Sequence, residues 1–404
     1  MRLTASRRYR NKGRYLLLAA ALLGGASIWL TRQTMTTAPT VHTVSGRAPG
    51  QPAPLTGATT TGGQTCLNAP AGSEAPPPPK RLTGRLGLYV AVVDPVTLTT
   101  LRVVSHDAGG LYPLASSYKQ AVLWALLRQK DTGTLQLSET FDVTSRTQSL
   151  GNYPYDHSDV LTLAGRMIHN SDNTATDLLH RRVGLQAVQD VADGLGLCQT
   201  RLILPTKDWW TAQAGLSPHY PGAVSFSAMR GQVRLQAAQA VDADATSVRP
   251  DLLQRRLDSY FDHRYDPLTD LGTQNVSTPA EFAHLVAAEF LNSGLSPAAQ
   301  EVQRRVMATG FGRSRIAAPL TYFGGKGGNG WRLLAFSGYL HTRGGEDVVY
   351  AFMQHGADQQ YTMPNMPAAF HWINDAMKSV LLVTDGGRVH SGTQASVPPA
   401  PTAP

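Results

Sequence analysis

Strand-forming runs lie near both ends of the apolar-rich part of this chain, and helix-forming runs lie between them. This order constrains the fold more than any other feature. Residues 87–106, GLYVAVVDPVTLTTLRVVSH, are two β-rich runs around a proline-bearing turn, and predict a hairpin. Residues 331–342 (WRLLAFSGYLHT) and 346–356 (EDVVYAFMQHG) predict two further strands. Helical patterns occupy 112–129, 159–184 (broken by a polar stretch), 185–196 (closed by Gly196), 279–294, 296–310 and 366–383. Pro113 suits the start of the first helix. Strands at both ends with helices between predict an α+β fold of sandwich type. It is an antiparallel sheet closed by both chain ends, with helices packed on it and an inserted all-helical region.

The flanks read differently. Seven basic and no acidic residues fall within 1–32, and residues 15–30 are the apolar run YLLLAAALLGGASIWL. Basic residues before a short apolar run predict export, as a cleaved signal peptide or an uncleaved anchor. Sixteen residues reach about 24 Å, slightly short of a bilayer core. Gly24-Gly25-Ala26 offers a cleavage site, Trp29 and Arg32 an anchor end, and Arg7-Arg8 a twin-arginine hint. The expected location is periplasmic, extracellular, or membrane-anchored facing outside. Residues 32–83, rich in Pro, Thr and Gly, predict a linker, 84–384 the folded body, and 385–404 a disordered tail. The two cysteines, Cys66 in the linker and Cys198 in the body, allow either a disulfide or two free thiols.

The net charge of +8 suggests nucleic acid, but the basic N-terminus carries nearly all of it. Without residues 1–32 the chain has 29 basic and 28 acidic residues, with no basic stripe to follow a phosphate backbone. Twelve histidines are scattered without ligand spacing, so no metal and no cofactor are indicated.

Three short motifs carry chemistry. Of seven lysines, only Lys119 follows a serine by three residues. On a helix Ser116 and Lys119 share a face, and a desolvated lysine can activate a serine hydroxyl. Alone, such a pair is usually solvated decoration. Ser171-Asp172-Asn173 sits at the break between two helices. Asp172 suits an N-cap, while Ser171 can relay a proton and Asn173 can orient a lysine and a substrate amide. GGKGGNG, residues 324–330, puts Lys326 among glycines before a strand, a fixed positive charge with room beside it; alone it reads as a glycine-rich turn.

Together and in this order, Ser-x-x-Lys, Ser-Asp-Asn and a Lys-Gly-Gly variant of Lys-Thr-Gly resemble the penicillin-recognising serine enzymes, and class A β-lactamases most closely. The resemblance covers about 84–384 and implies a β-lactamase/transpeptidase-like fold. It implies Ser116 as the acylated nucleophile, Lys119 as its base, and Ser171 as proton relay to the leaving nitrogen. Asn173 would hold the acyl amide, and Lys326 would attract the substrate carboxylate and tune Ser171. The N–H groups of Ser116 and Asn329 would form an oxyanion hole, worth about 3–4 kcal/mol per donor. Gly327 and Gly328 would line the substrate.

Three departures qualify the resemblance. Gly327 replaces the family's hydroxyl residue, and Arg332 is a candidate to compensate. The family's water-activating glutamate would fall near Thr206 or Lys207, in LPTKDWWTAQAG, where there is none. Asp208 is the nearest carboxylate, a possible deacylation residue; the alternative is a loop carboxylate paired with Lys207 or capping a turn. About 209–276 is surplus to the family, a lid, a specificity element or a surface ornament. Trp209, Trp210, Tyr260 and Phe261 read as core rather than substrate contacts. The expected function is an exported, monomeric serine hydrolase taking a β-lactam or a peptidoglycan stem peptide. The alternatives are a D-alanyl-D-alanine carboxypeptidase or esterase, and a catalytically weak cell-wall-binding module.

Overall fold

The computed structural model describes residues 58–382 apart from 62–63, 69, 71, 145–146 and 152–155. The N-terminal segment read as an export signal, the predicted linker up to residue 57 and the predicted tail lie outside the described residues. Among the described residues no helix is long and apolar enough to cross a membrane.

The chain opens with a hairpin of β1 (Ala58–Thr61) and β2 (Gln64–Leu67) and a short β3 (Ser73–Glu74). The predicted hairpin follows as β4 (Arg85–Val93) and β5 (Thr100–His106), then β6 (Tyr112–Pro113). A 3₁₀ turn, Ala115–Tyr118, leads into α1 (Lys119–Asp131). β7 (Thr140–Asp142) and β8 (His157–Asp159) pair before α2 (Val160–His169), α3 (Asn173–Val183) and α4 (Leu185–Asp193). The region read as surplus, about 209–276, is helical: α5 (Thr206–Gln213) leads into it, and α6 (Ala223–Ala228), α7 (Gly231–Ser247), α8 (Pro250–His263) and α9 (Pro267–Thr273) follow. After β9 (Val276–Ser277) come α10 (Pro279–Leu291) and α11 (Pro297–Ala308). The chain then returns to the sheet in β10 (Leu320–Gly330), β11 (Leu333–Thr342) and β12 (Asp347–His355), and α12 (Met366–Leu382) follows.

The main sheet has the order β10-β11-β12-β4-β5-β3. Both chain ends build it, as expected, and they meet at its centre, where β12 pairs antiparallel with β4 and Tyr350 faces Val90. The sheet is open rather than closed, with β10 at one edge and β3, parallel to β5, at the other. β4 is buried on both faces, because one face packs on the helical body and the other on α12. Tyr89, Ala91 and Val93 join the first core, while Leu88, Val90 and Val92 join Phe370, Trp372 and Ile373 in the second. A third, smaller cluster joins α8 to Leu150 and Ala214.

Two expectations change. Pro113 does not open a helix; it lies in β6, which pairs with Val276 and Ser277. The end of the linker is part of the body: Ala75 and Leu82 are buried, and the Trp372 Nε1–H donates to Pro76 O. The cysteines form a disulfide, Cys66–Cys198, with sulfurs 2.02 Å apart.

Candidate active site

α1 is buried on every side from Lys119 to Leu127, so its first residue enters the interior directly. The 3₁₀ turn before it carries Ser116, itself half-buried, and the Lys119 N–H donates to Ser116 O. Ala115, just before the nucleophile candidate, has φ +44°, a left-handed conformation that a non-glycine residue keeps only where its surroundings impose it. The imposing neighbour is β10. A Cβ on Gly328 would stand 2.5 Å from Ser116 N and 2.9 Å from Ser117 N, so only glycine lets the strand pass this closely. Asn329, exposed, is the next residue along the strand.

Ser171 sits between α2 and α3 with φ +55°. Asp172 caps α3, accepting from Ala175 N at 2.9 Å, as its residue type led us to expect. The turn presents Ser171 and Asn173 to Lys119. Lys119 Nζ donates to Ser171 O at 2.7 Å, to Asn173 Oδ1 at 2.7 Å and to Ser171 Oγ at 3.3 Å. From the strand side Lys326 Nζ donates to Ser171 Oγ at 3.0 Å and to Gly327 O at 2.6 Å. Asn173 Nδ2 is held by Leu150 O at 2.9 Å. Lys119, Ser171, Asn173 and Lys326 therefore form one bonded network, and Ser116 lies one turn before Lys119 with its backbone N–H against Gly328. Gly327 pairs with Phe336 across the sheet, and a side chain there would press on Phe336 and Phe311.

Burial sets the charge state of both lysines. It lowers Lys119 to about 7, with Asp177 and Asp172 pulling it partly back. It pushes Lys326 well below the ordinary lysine value, and the Lys119 charge pushes it further. Two short bonds to oxygens that only accept occupy two Lys119 N–H groups. The third position, facing the Ser171 hydroxyl at 3.3 Å, holds a proton or a lone pair according to pH.

The possible deacylation residue is a correction. Asp208 is wholly buried and its Oδ1 accepts from Arg181 Nη2 at 2.8 Å, so its partner is not Lys207. Burial, opposed by Arg181 and reinforced by Asp242 and Asp177, raises its pKa well above the carboxylate range. A sequestered carboxyl bonded to an arginine does not meet the expectation of a water-activating base. Thr206 and Lys207, where the glutamate was sought, are fixed through their backbone: Thr206 N donates to Asp177 Oδ1 at 2.6 Å and Lys207 N to Asp177 Oδ2 at 3.0 Å. Arg332 is also committed elsewhere, donating to Ala357 O at 3.1 Å and Asp358 O at 3.0 Å, so it does not compensate for the missing hydroxyl.

Sequence reading missed Asp177. It lies four residues after Asn173, on the same face of α3, and ties α5 under the site. The i, i+4 spacing was available as a signal, but the partner backbone was not. Trp209, Tyr260 and Phe261 are core, as read, and Trp210 is only partly buried.

A family model described as "Beta-lactamase enzyme family" matches residues 83–380. No curated protein matches the chain. The fold is similar to that of a β-lactamase from Sphaerobacter thermophilus, at 18% identity and a TM-score of 0.51, over 76% of this chain and 94% of that one. A β-lactamase from Xanthomonas campestris gives 17% and 0.51, over 74% and 93%. A mutant of the class A β-lactamase of the last common ancestor of Gram-negative bacteria gives 18% and 0.51, over 74% and 94%. At such identities the likeness shows the fold.

Proposed function

The chain belongs to the β-lactamase enzyme family, and from that premise we propose that it is an exported serine hydrolase that opens β-lactams through an acyl-enzyme on Ser116. The observation that carries the reading is the buried Lys119, lowered to about 7 and bonded to Ser171 and Asn173 one turn from Ser116. Neutral Lys119 takes the Ser116 Oγ proton as Oγ attacks the lactam carbonyl. The Ser116 and Asn329 N–H groups stabilise the oxyanion. Ser171 Oγ, bonded by both lysines, protonates the leaving nitrogen and is refilled from Lys119. The substrate carboxylate draws a proton onto Lys326, and that charge drives Lys119 toward its neutral, basic form.

Export is supported by the basic and apolar N-terminus and by the Cys66–Cys198 disulfide, a bond of oxidising compartments. The N-terminal segment leaves membrane association available, and the site needs no second subunit.

A second reading is favoured by one observation. The carboxylate expected to activate a hydrolytic water, Asp208, is buried and bonded to Arg181, so without another base the acyl-enzyme would persist. That is the behaviour of a D-alanyl-D-alanine carboxypeptidase of penicillin-binding type. Intact mass after mixing with a penicillin decides. Rapid return to free enzyme with consumed drug supports β-lactamase action. A lasting adduct, absent in Ser116→Ala, supports the carboxypeptidase. No adduct, with no hydrolysis of esters or D-Ala-D-Ala peptides, overturns acyl transfer and leaves a binding module.

A further inference from the structure

The second residue of the buried helix α1 is a glutamine, Gln120, fully buried like the lysine before it. Its amide has left water and must find partners in the interior. It finds them on one side only. Nε2 donates to Ser117 O at 3.1 Å and to Ser337 Oγ, on β11, at 2.8 Å. Among the described residues Oε1 has no partner. The bonds then close into a ring. Because Gln120 fills an acceptor site on Ser337 Oγ, the Ser337 hydrogen is left to be donated to Lys326 O, at 3.4 Å. Ser117 Oγ donates to the same carbonyl, also at 3.4 Å. Ser117, Gln120, Lys326 and Ser337 are all buried.

Each member adjoins the catalytic candidates or belongs to them. Ser117 follows Ser116, Gln120 follows Lys119, and Lys326 donates to Ser171 Oγ. β10 is the edge strand of the sheet, paired only with β11, so no further strand fixes it against the nucleophile turn. The ring does, two residues before the point where Gly328 meets Ser116 N. We propose that Gln120 is a positioning residue for acyl transfer: through Ser337 and Ser117 it sets the gap between the nucleophile turn and β10, and with it the reach of Lys326 to Ser171. The proposal rests on the acyl-enzyme reading above. Gln120 acts through the residues it holds, and small misplacements between a nucleophile and its partners slow a reaction steeply.

The test uses Gln120→Met, which keeps volume and removes the amide, and Ser337→Ala, which deletes only a hydroxyl. With benzylpenicillin the first-order acylation constant should fall at least tenfold in Gln120→Met and at least fivefold in Ser337→Ala. The dissociation constant of the preceding complex should stay within about threefold. The midpoint of the pH limb should not move, since no charge is removed. The double variant should be within about twofold of the slower single one, because both cut the same ring. Losses that multiply, a loss confined to the dissociation constant, or no loss, overturn the proposal. A second measurement on the full chain needs no substrate. Amide hydrogen exchange should quicken at least tenfold in peptides spanning the nucleophile turn and β10 in either variant, and stay unchanged in α12. If neither benzylpenicillin nor a phenylacetylglycyl thioester acylates the wild type, the acyl-enzyme reading fails separately. Exchange then decides: quickening confined to those two peptides upholds the positioning role, and unchanged exchange overturns it.

Discussion

Acylation should titrate with Lys119. Burial lowers this lysine to about 7 while Asp177 and Asp172 oppose the shift. Only the neutral amine can accept the Ser116 proton, so the rate follows the deprotonated fraction. With a pKa near 7 that fraction is about 0.9 at pH 8 and about 0.01 at pH 5, so the second-order acylation constant should fall about 90-fold across that range. The assay is time-resolved intact mass, or a fluorescent penicillin, at fixed ionic strength. A control fixes the sign and the group. Asp172→Asn keeps a competent cap on α3 and removes a negative charge that raises Lys119, so the limb should move to lower pH. Asp172 is not among the influences on Lys326, whose shift comes from burial and Lys119. A flat profile between pH 5 and 8, or a limb indifferent to Asp172→Asn, would refute Lys119 as the base.

Lys119→Met should abolish acylation yet stabilise the fold. Holding a lysine at about 7 rather than its ordinary 10.5 costs about 5 kcal/mol at neutral pH and below, a penalty that fades as pH rises from 7 to 10.5. Unpaired acceptors at Ser171 O and Asn173 Oδ1 return about 1–3 kcal/mol of that each, so a modest rise in Tm at pH 7 is expected and a fall would contradict it. Asp208→Asn should leave decay of the acyl-enzyme within about twofold of wild type while lowering stability by about 1.5–3 kcal/mol through the Arg181 contact; a tenfold slower decay would restore Asp208 to the chemistry. Gly328→Ala should slow acylation by tenfold or more with a smaller effect on Tm, because the new methyl would stand 2.5 Å from Ser116 N and must push β10 away; unchanged kinetics would deny the close approach.

The sheet was legible because its strands are dense in β-branched and aromatic residues, and most of their side chains are buried on one face or the other. The juxtaposition of Ser116, Lys119, Ser171, Asn173 and Lys326 was legible only through their resemblance to a known set. No spacing along the chain predicts that residues 155 apart, Ser171 and Lys326, share a bond. What failed depended on partners far away in sequence. Pro113 looked like a helix start because its pairing with Val276 is invisible locally. The proline-rich linker looked unable to pack, but Trp372 supplies a donor for its Pro76 carbonyl. Asp208 looked closest to Lys207, yet adjacent helical residues point about 100° apart, and Arg181 on α3 lies across from it.

The insertion and the missing glutamate bear on one another. α5 begins at Thr206, near where the sequence led us to expect the family's water-activating glutamate, and Asp177 anchors it by the N–H groups of Thr206 and Lys207. The insertion's α8 carries Phe261 to the end of β10. One contiguous run of helices thus bonds to Asp177 at one end and stacks Phe261 on Trp331 at the other. If the adduct with a penicillin persists, Thr206→Glu should speed its decay by supplying a carboxylate beside Asn173, whose carbonyl already accepts from Thr206 Oγ1, and unchanged decay would show that this position does not reach the acyl carbonyl.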